Sequence, residues 1–170
     1  MSSWDDDLYT CPICGSTECV PAGGNSKSKI LIIGEFPGKD EIKTGKPFSG
    51  ATGTILKTEL GRLGIDVSRL RIVNMWLHFP NKNEKCLQYS VQQVVKEAKG
   101  KQAILLIGSD TVKYFADAKV GQVTGLQVKS DYFSAPIIFA CIQPAVAFHN
   151  VVGEVRLSLQ KFADKVEGLL

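Results

Sequence analysis

The sequence has no uninterrupted apolar run near the ~18 residues that a membrane-spanning helix requires, so an integral membrane protein is not expected. Its opening residues, Met1-Ser2-Ser3-Trp4-Asp5-Asp6-Asp7, are acidic and polar, unlike a secretory leader, and a cytoplasmic location is expected. The Gly-x4-Gly-Lys-(Ser/Thr) loop of nucleotide hydrolases is missing, which argues against a nucleotide cofactor. Internal repeats and low-complexity tracts are missing too. Charge of one sign is scarce: a formal net charge of +3 neither establishes nor excludes a polyanionic partner. An even cysteine count is also lacking. Five cysteines with no leader argue against a disulfide framework, and Cys11, Cys14 and Cys19 crowd together in a way that points first to metal ligation.

What remains is a folded chain of ordinary make-up, 44% hydrophobic and 22% charged, whose 170 residues suit one domain with one core. Residues 1–28 read as a cysteine-rich, metal-binding arm of that single domain, closing in Gly23-Gly24-Asn25-Ser26. After it, strands and helices alternate. Lys29–Gly34 and Ala103–Gly108 are continuously apolar, as buried parallel strands are, and Arg71–Trp76 and Ile137–Ile142 read as two more. Helices are expected over 54–63 with Gly64 as C-cap, over 91–98, after a Ser109 cap, and over 151–170. The stretch from Val123 onward reads as a hairpin or edge strand. This alternation predicts an α/β fold, a three-layer α/β/α sandwich around a mainly parallel sheet. Ligands then gather in loops at the carboxyl ends of the strands, here after Gly34, Trp76, Gly108 and Ile142.

The first of those loops, Gly34-Glu35-Phe36-Pro37-Gly38-Lys39-Asp40-Glu41 and on through Lys46-Pro47-Phe48-Ser49-Gly50 to Gly53, holds the unusual residues. Its glycines permit close approach of a ligand to backbone amides, and its carboxylates and aromatic ring could place a water beside a flat substrate. From composition alone, a glycine-rich turn carrying solvated charges is the better explanation.

Residues 34–53 also resemble, without a gap, a block of the uracil-DNA glycosylase superfamily, closest to its iron–sulfur-containing family four. Members follow a strand with Gly-Glu-(Gly/Ala)-Pro-Gly, a Glu, and Thr-Gly-(Lys/Arg)-Pro-Phe-x-Gly-x-x-Gly, then a strand ending in Asn, matched by Ile72-Val73-Asn74. The resemblance implies an enzyme, a hydrolase that flips uracil or a related modified pyrimidine from DNA and cleaves its bond to the sugar. It implies that Phe48 stacks on the base, Asn74 reads its edge, amides around Gly34 and Gly38 hold its carbonyls, and Glu35 and Glu41 orient the attacking water. DNA is the implied partner of a monomer, with Lys46, Lys82, Pro144 and His149 toward its backbone. Lys39, Lys43 and Lys85 share that expected face.

The chain departs from the family twice at the leaving base. Gln143 in Ile142-Gln143-Pro144-Ala145 replaces a histidine that stabilises the departing anion, and Phe36 replaces Gly or Ala, which would narrow or reshape the pocket. Altered specificity follows from these changes, or a catalytically impaired DNA-binding or replication-accessory protein with the same fold. The family's four-iron (4Fe-4S) cluster would fall to Cys11, Cys14, His78 and Cys86, with zinc as the alternative and Cys19 as a substitute for His78. Cys141 reads as core packing.

Overall fold

The computed structural model describes residues 9–144 and 152–170. Five strands form one sheet: β1 (Gly23–Gly24), β2 (Ile30–Gly34), β3 (Arg71–Asn74), β4 (Ala103–Ile107) and β5 (Ile137–Cys141), in the order β1-β3-β2-β4-β5. The last four run parallel, and β1 is an antiparallel edge on β3. The helices are α1 (Lys39–Thr44), α2 (Ala51–Arg62), α3 (Glu84–Ala98), α4 (Ser109–Ala116), α5 (Val120–Val123) and α6 (Val152–Val166). No helix among the described residues is long and apolar enough to cross a membrane.

The continuous apolar runs of β2 and β4 follow from burial on both faces. Side chains alternate along a strand, so Ile30, Ile32, Leu105 and Ile107 meet Leu56 and Leu60 of α2 and Val155, Leu159 and Phe162 of α6 on one face. Leu31, Ile33, Ile104 and Leu106 meet Val91 and Val94 of α3 and Val112 and Phe115 of α4 on the other. That is the expected three-layer sandwich. Cys11 and Cys19 belong to this second core, so the N-terminal segment packs as part of the roof over the sheet. The Val20 amide, which donates to the Leu77 carbonyl at 2.6 Å, holds it there.

Several boundaries differ from expectation for local reasons. Helix α2 starts at Ala51, N-capped by Gly50. Helix α3 starts at Glu84, where Asn83 caps it by accepting from the Lys85 amide at 3.0 Å. Ser109 is the first residue of α4, and Gly108 occupies the cap. In place of a hairpin before β5, the described residues show the short helix α5 and two isolated bridges, Thr124 to Ala140 and Gln127 to Phe139.

Candidate active site and metal centre

The carboxyl ends of the parallel strands open on a cavity of about 240 Å³ lined by Glu35, Phe36, Gly38, Lys39, Asp40, Glu41, Phe48, Gly50, Ala51, Thr52, Asn74 and Gln143. The sheet order explains the gathering. Glu35 and Phe36 follow the central strand β2, Asn74 ends its neighbour β3, and Gln143 follows β5.

Gly34 is the hinge of the geometry. A Cβ there would lie 2.5 Å from Cζ of Phe48 and 2.6 Å from Oδ1 of Asn74, so the ring and the amide converge over the one position that offers no side chain. Phe48 is only 5% exposed and packs on the first core, yet it walls the cavity. Its φ of 57° is a strained conformation for a non-glycine residue. Gly53 permits it by lying directly on the Phe48 backbone, where a Cβ would fall 1.6 Å from the carbonyl oxygen. Asn74 is 3% exposed and faces the same space. Gln143 presents a buried amide oxygen with no hydrogen-bond partner among the described residues. A buried polar atom left unpaired is costly unless a ligand completes it.

The carboxylates divide their tasks. Glu41 accepts from the Gly38 amide through Oε2 and from the Gly50 amide through Oε1, each at 3.1 Å. It thereby clamps the two limbs of the glycine loop together, and the Gly38 amide is spent on this clamp instead of standing open to a base carbonyl. Asp40, one of the loop's carboxylates but given no role of its own by the resemblance, lines the cavity against Gly50. Glu35 reaches over Gly108 to the start of α4; a Cβ on Gly108 would collide with its carboxylate. Burial, and then the negative charge of Asp110, push the Glu35 carboxyl above its ordinary range, while the Ser109 and Asp110 amides pull the other way. Asp110 carried no signal in the sequence beyond following a strand.

Phe36 does not fill the cavity. It is 39% exposed and turns outward to meet Phe79, itself 61% exposed, edge to face at 5.3 Å between ring centres. Of the two expected effects of a phenyl ring, narrowing and reshaping, the second fits its place: Phe36 lines the cavity as a lip. Lys39 reaches the cavity lining, while Lys46 and Lys82 are exposed outside it and Pro144 is buried. His149 lies outside the described residues.

A second constellation sits beneath that lip. Cys11, Cys14, His78 and Cys86 bring their donor atoms within 4.8 Å of one another, a set able to hold a metal ion. Sγ of Cys11 and Cys86 are 3.9 Å apart, and Cys14 Sγ is 3.6 Å from Nε2 of His78. Nδ1 of His78 lies 2.8 Å from the Phe79 carbonyl, a bond in which Nδ1–H donates and Nε2 is left with its lone pair toward the thiols. Asn81 donates to Cys86 Sγ at 3.6 Å. Burial opposes ionisation of Cys11, but the amides of Cys14 and Ile13, then His78, bring its thiol down to about 7. Cys19 is buried beside the set without joining it; burial and the neighbouring thiols push it up to about 12.

Comparison with known proteins agrees with this architecture. The profile of the Uracil DNA glycosylase superfamily matches residues 21–165. The chain belongs to that superfamily. Within it, the chain is 35% identical over 109 residues to the Type-4 uracil-DNA glycosylase of Archaeoglobus fulgidus, a match covering 55% of each protein. It is 25% identical over 170 residues to the Type-4 uracil-DNA glycosylase of Thermotoga maritima, covering 94% of this chain and 88% of that one. The Sulfurisphaera tokodaii relative of the same name is 27% identical over 166 residues, covering 85% and 74%. The matched segment thus spans about half the length of the Archaeoglobus relative and most of the other two.

Proposed function

We propose that this superfamily member is a monomeric DNA glycosylase that everts uracil or a related modified pyrimidine and hydrolyses its bond to the sugar, leaving an abasic site. The observation that carries the reading is the convergence of the Phe48 ring and the Asn74 amide over Gly34, beside Gln143, whose amide oxygen has no partner among the described residues, in one cavity at the strand ends. An aromatic face holds any flat base, typically contributing ~1–3 kcal/mol, and a primary amide matches both the donor and the acceptor on a pyrimidine edge. The relatives' shared name supports uracil as the substrate.

Glu35 and Asp40 are the carboxylates placed to orient water and to favour positive charge growing on the sugar, and Glu41 positions the loop that carries them. Gln143 would donate through its amide to the oxygen of the departing base. Lys39 at the rim suits a DNA phosphate, and the Phe36–Phe79 lip offers a stacking surface for a base next to the everted one. Thiolate ligands need a reducing compartment, consistent with a cytoplasmic protein. The metal set would brace the loop bearing Phe79, and no step of excision passes through it. A four-iron cluster puts a separate iron behind every ligand, and so asks for a larger tetrahedron than these four donors form.

The deciding experiment incubates the protein with uracil-containing single- and double-stranded oligonucleotides, alongside strands carrying modified pyrimidines, and measures alkali-labile sites. Cleavage that Phe48→Ala and Asn74→Ala each reduce at least tenfold supports the reading. Binding without cleavage on any substrate would move the protein to the accessory role that Gln143 also allows. An amide is a weaker donor to an oxyanion than an imidazolium, and loss of such a donor typically costs ~10²–10³ in rate. Gln143→His should therefore raise uracil excision at least tenfold in single-turnover assays.

A further inference from the structure

We propose that Cys11, Cys14, His78 and Cys86 bind one zinc ion in a closed tetrahedral site, in place of the four-iron cluster that the family resemblance implies. The donor geometry alone supports this site, independently of base excision.

A tetrahedral zinc holds thiolates at ~2.3 Å and imidazole nitrogen at ~2.0–2.1 Å, which sets two sulfurs ~3.8 Å apart and a sulfur and a nitrogen ~3.6 Å apart. The corresponding separations here are 3.9 Å between Cys11 and Cys86 and 3.6 Å between Cys14 and His78. All four donors fall inside one 4.8 Å envelope. One ion at the centre satisfies both of these separations, and the widest pair need close by no more than about 1 Å to complete the tetrahedron. In a cubane each ligand holds a different iron, so the ligand tetrahedron grows by the iron–iron edge and no longer fits within that envelope.

The surroundings resist such growth. Cys11 is 1% exposed and Cys86 fully buried, both within the second core. The turn that carries Cys11 and Cys14 is closed at both ends, by the Cys11 amide on the Ser16 carbonyl at 2.8 Å and the Gly15 amide on the Cys11 carbonyl at 2.9 Å. The chemistry of the set points the same way. Imidazole suits zinc readily, whereas clusters are held mainly by thiolates, and His78 is already fixed in orientation through Nδ1 on the Phe79 carbonyl. The only other thiol in the neighbourhood, Cys19, stays outside the envelope. Binding would displace the thiol protons, involve no change of oxidation state, and leave no open coordination position; the ion would be structural.

The test is metal analysis of the full-length protein, produced with iron and zinc both supplied, purified without oxygen, and offered iron and sulfide under reducing conditions. One zinc per chain, no labile sulfide and a colourless protein are expected. Exchange with cobalt should give the intense visible bands of a tetrahedral ion with three thiolates. His78→Cys should keep one ion and shift those bands to a four-thiolate pattern, and Cys19→Ser should leave both stoichiometry and spectrum unchanged. Uptake of four irons and four sulfides per chain, with a brown colour that oxidant bleaches, would overturn the proposal. So would loss of the bound ion in Cys19→Ser with retention in His78→Ala. Because no readout is base excision, an inactive protein that binds zinc and an active one that binds a cluster are told apart.

Discussion

At the scale of single residues, the site depends on an absence. Gly34 ends the central strand at the point where Phe48 and Asn74 meet, and a methyl group would contact both at about 2.5 Å. Gly34→Ala should therefore displace the ring or the amide and reduce excision by at least a hundredfold. Thermal stability should fall by only the 1–3 kcal/mol typical of overpacking; calorimetry beside the glycosylase assay checks the pair. The sequence motif showed which residue types were present here but not how the carboxylates share their work. Glu41 reads as a water-orienting group in the sequence, and the structure adds a second task, since Gly50, nine residues away, donates to its other oxygen. Asp110 is silent in sequence, yet its charge helps hold the Glu35 carboxyl above the ordinary range after burial has raised it. If Glu35 acts ionised, activity falls as pH drops through that raised value. Asp110→Asn lowers the value and should move the acid limb of the pH–rate profile to lower pH. For stability the sign is opposite. A raised carboxyl favours the folded state below its unfolded value, and that contribution is lost as pH rises through the folded one. Asp110→Asn should weaken this dependence.

At the scale of elements, the buried strands were legible because burial on both faces leaves a continuous apolar run, and β2, β4 and β5 fall within about one residue of expectation. Helix starts were not. The first turns of α3 carry Glu84, Lys85 and Gln88, so the apolar period only becomes visible near Val91, although Asn83 was a usable cap signal. The Ser109 cap failed because Gly108, at φ 98°, makes the turn required beneath Glu35. The hairpin before β5 failed because single bridges satisfy that edge. Cys86 sits in the first turns of α3, so the cap and the metal set are coupled. Asn83→Ala should cost about 0.5–2 kcal/mol of stability and weaken zinc retention in a competition with a chelating dye.

At the scale of the molecule, the two cores are unlike. The first is sealed by α2 and α6, tied by Arg156 donating to the buried Glu59 at 3.0 Å. The second is closed in part by the N-terminal segment through Cys11 and Cys19. If the set holds zinc as proposed, the ion stabilises the folded chain, so chelation should lower the melting temperature by several degrees and the addition of zinc should restore it. Excision by the folded fraction at low temperature should change little, because the metal set stands outside the cavity lining.

The same segment determines how oxidative damage would show itself. Met75, Trp76 and Leu77 are buried in the same second core as Cys11 and Cys86, and the segment is tied over them by the Val20 amide on the Leu77 carbonyl. Peroxide would lift that flap and lay bare a greasy seam beside the sheet. The injured protein should clump and scatter light, while the proposed excision by molecules still in solution should be unchanged.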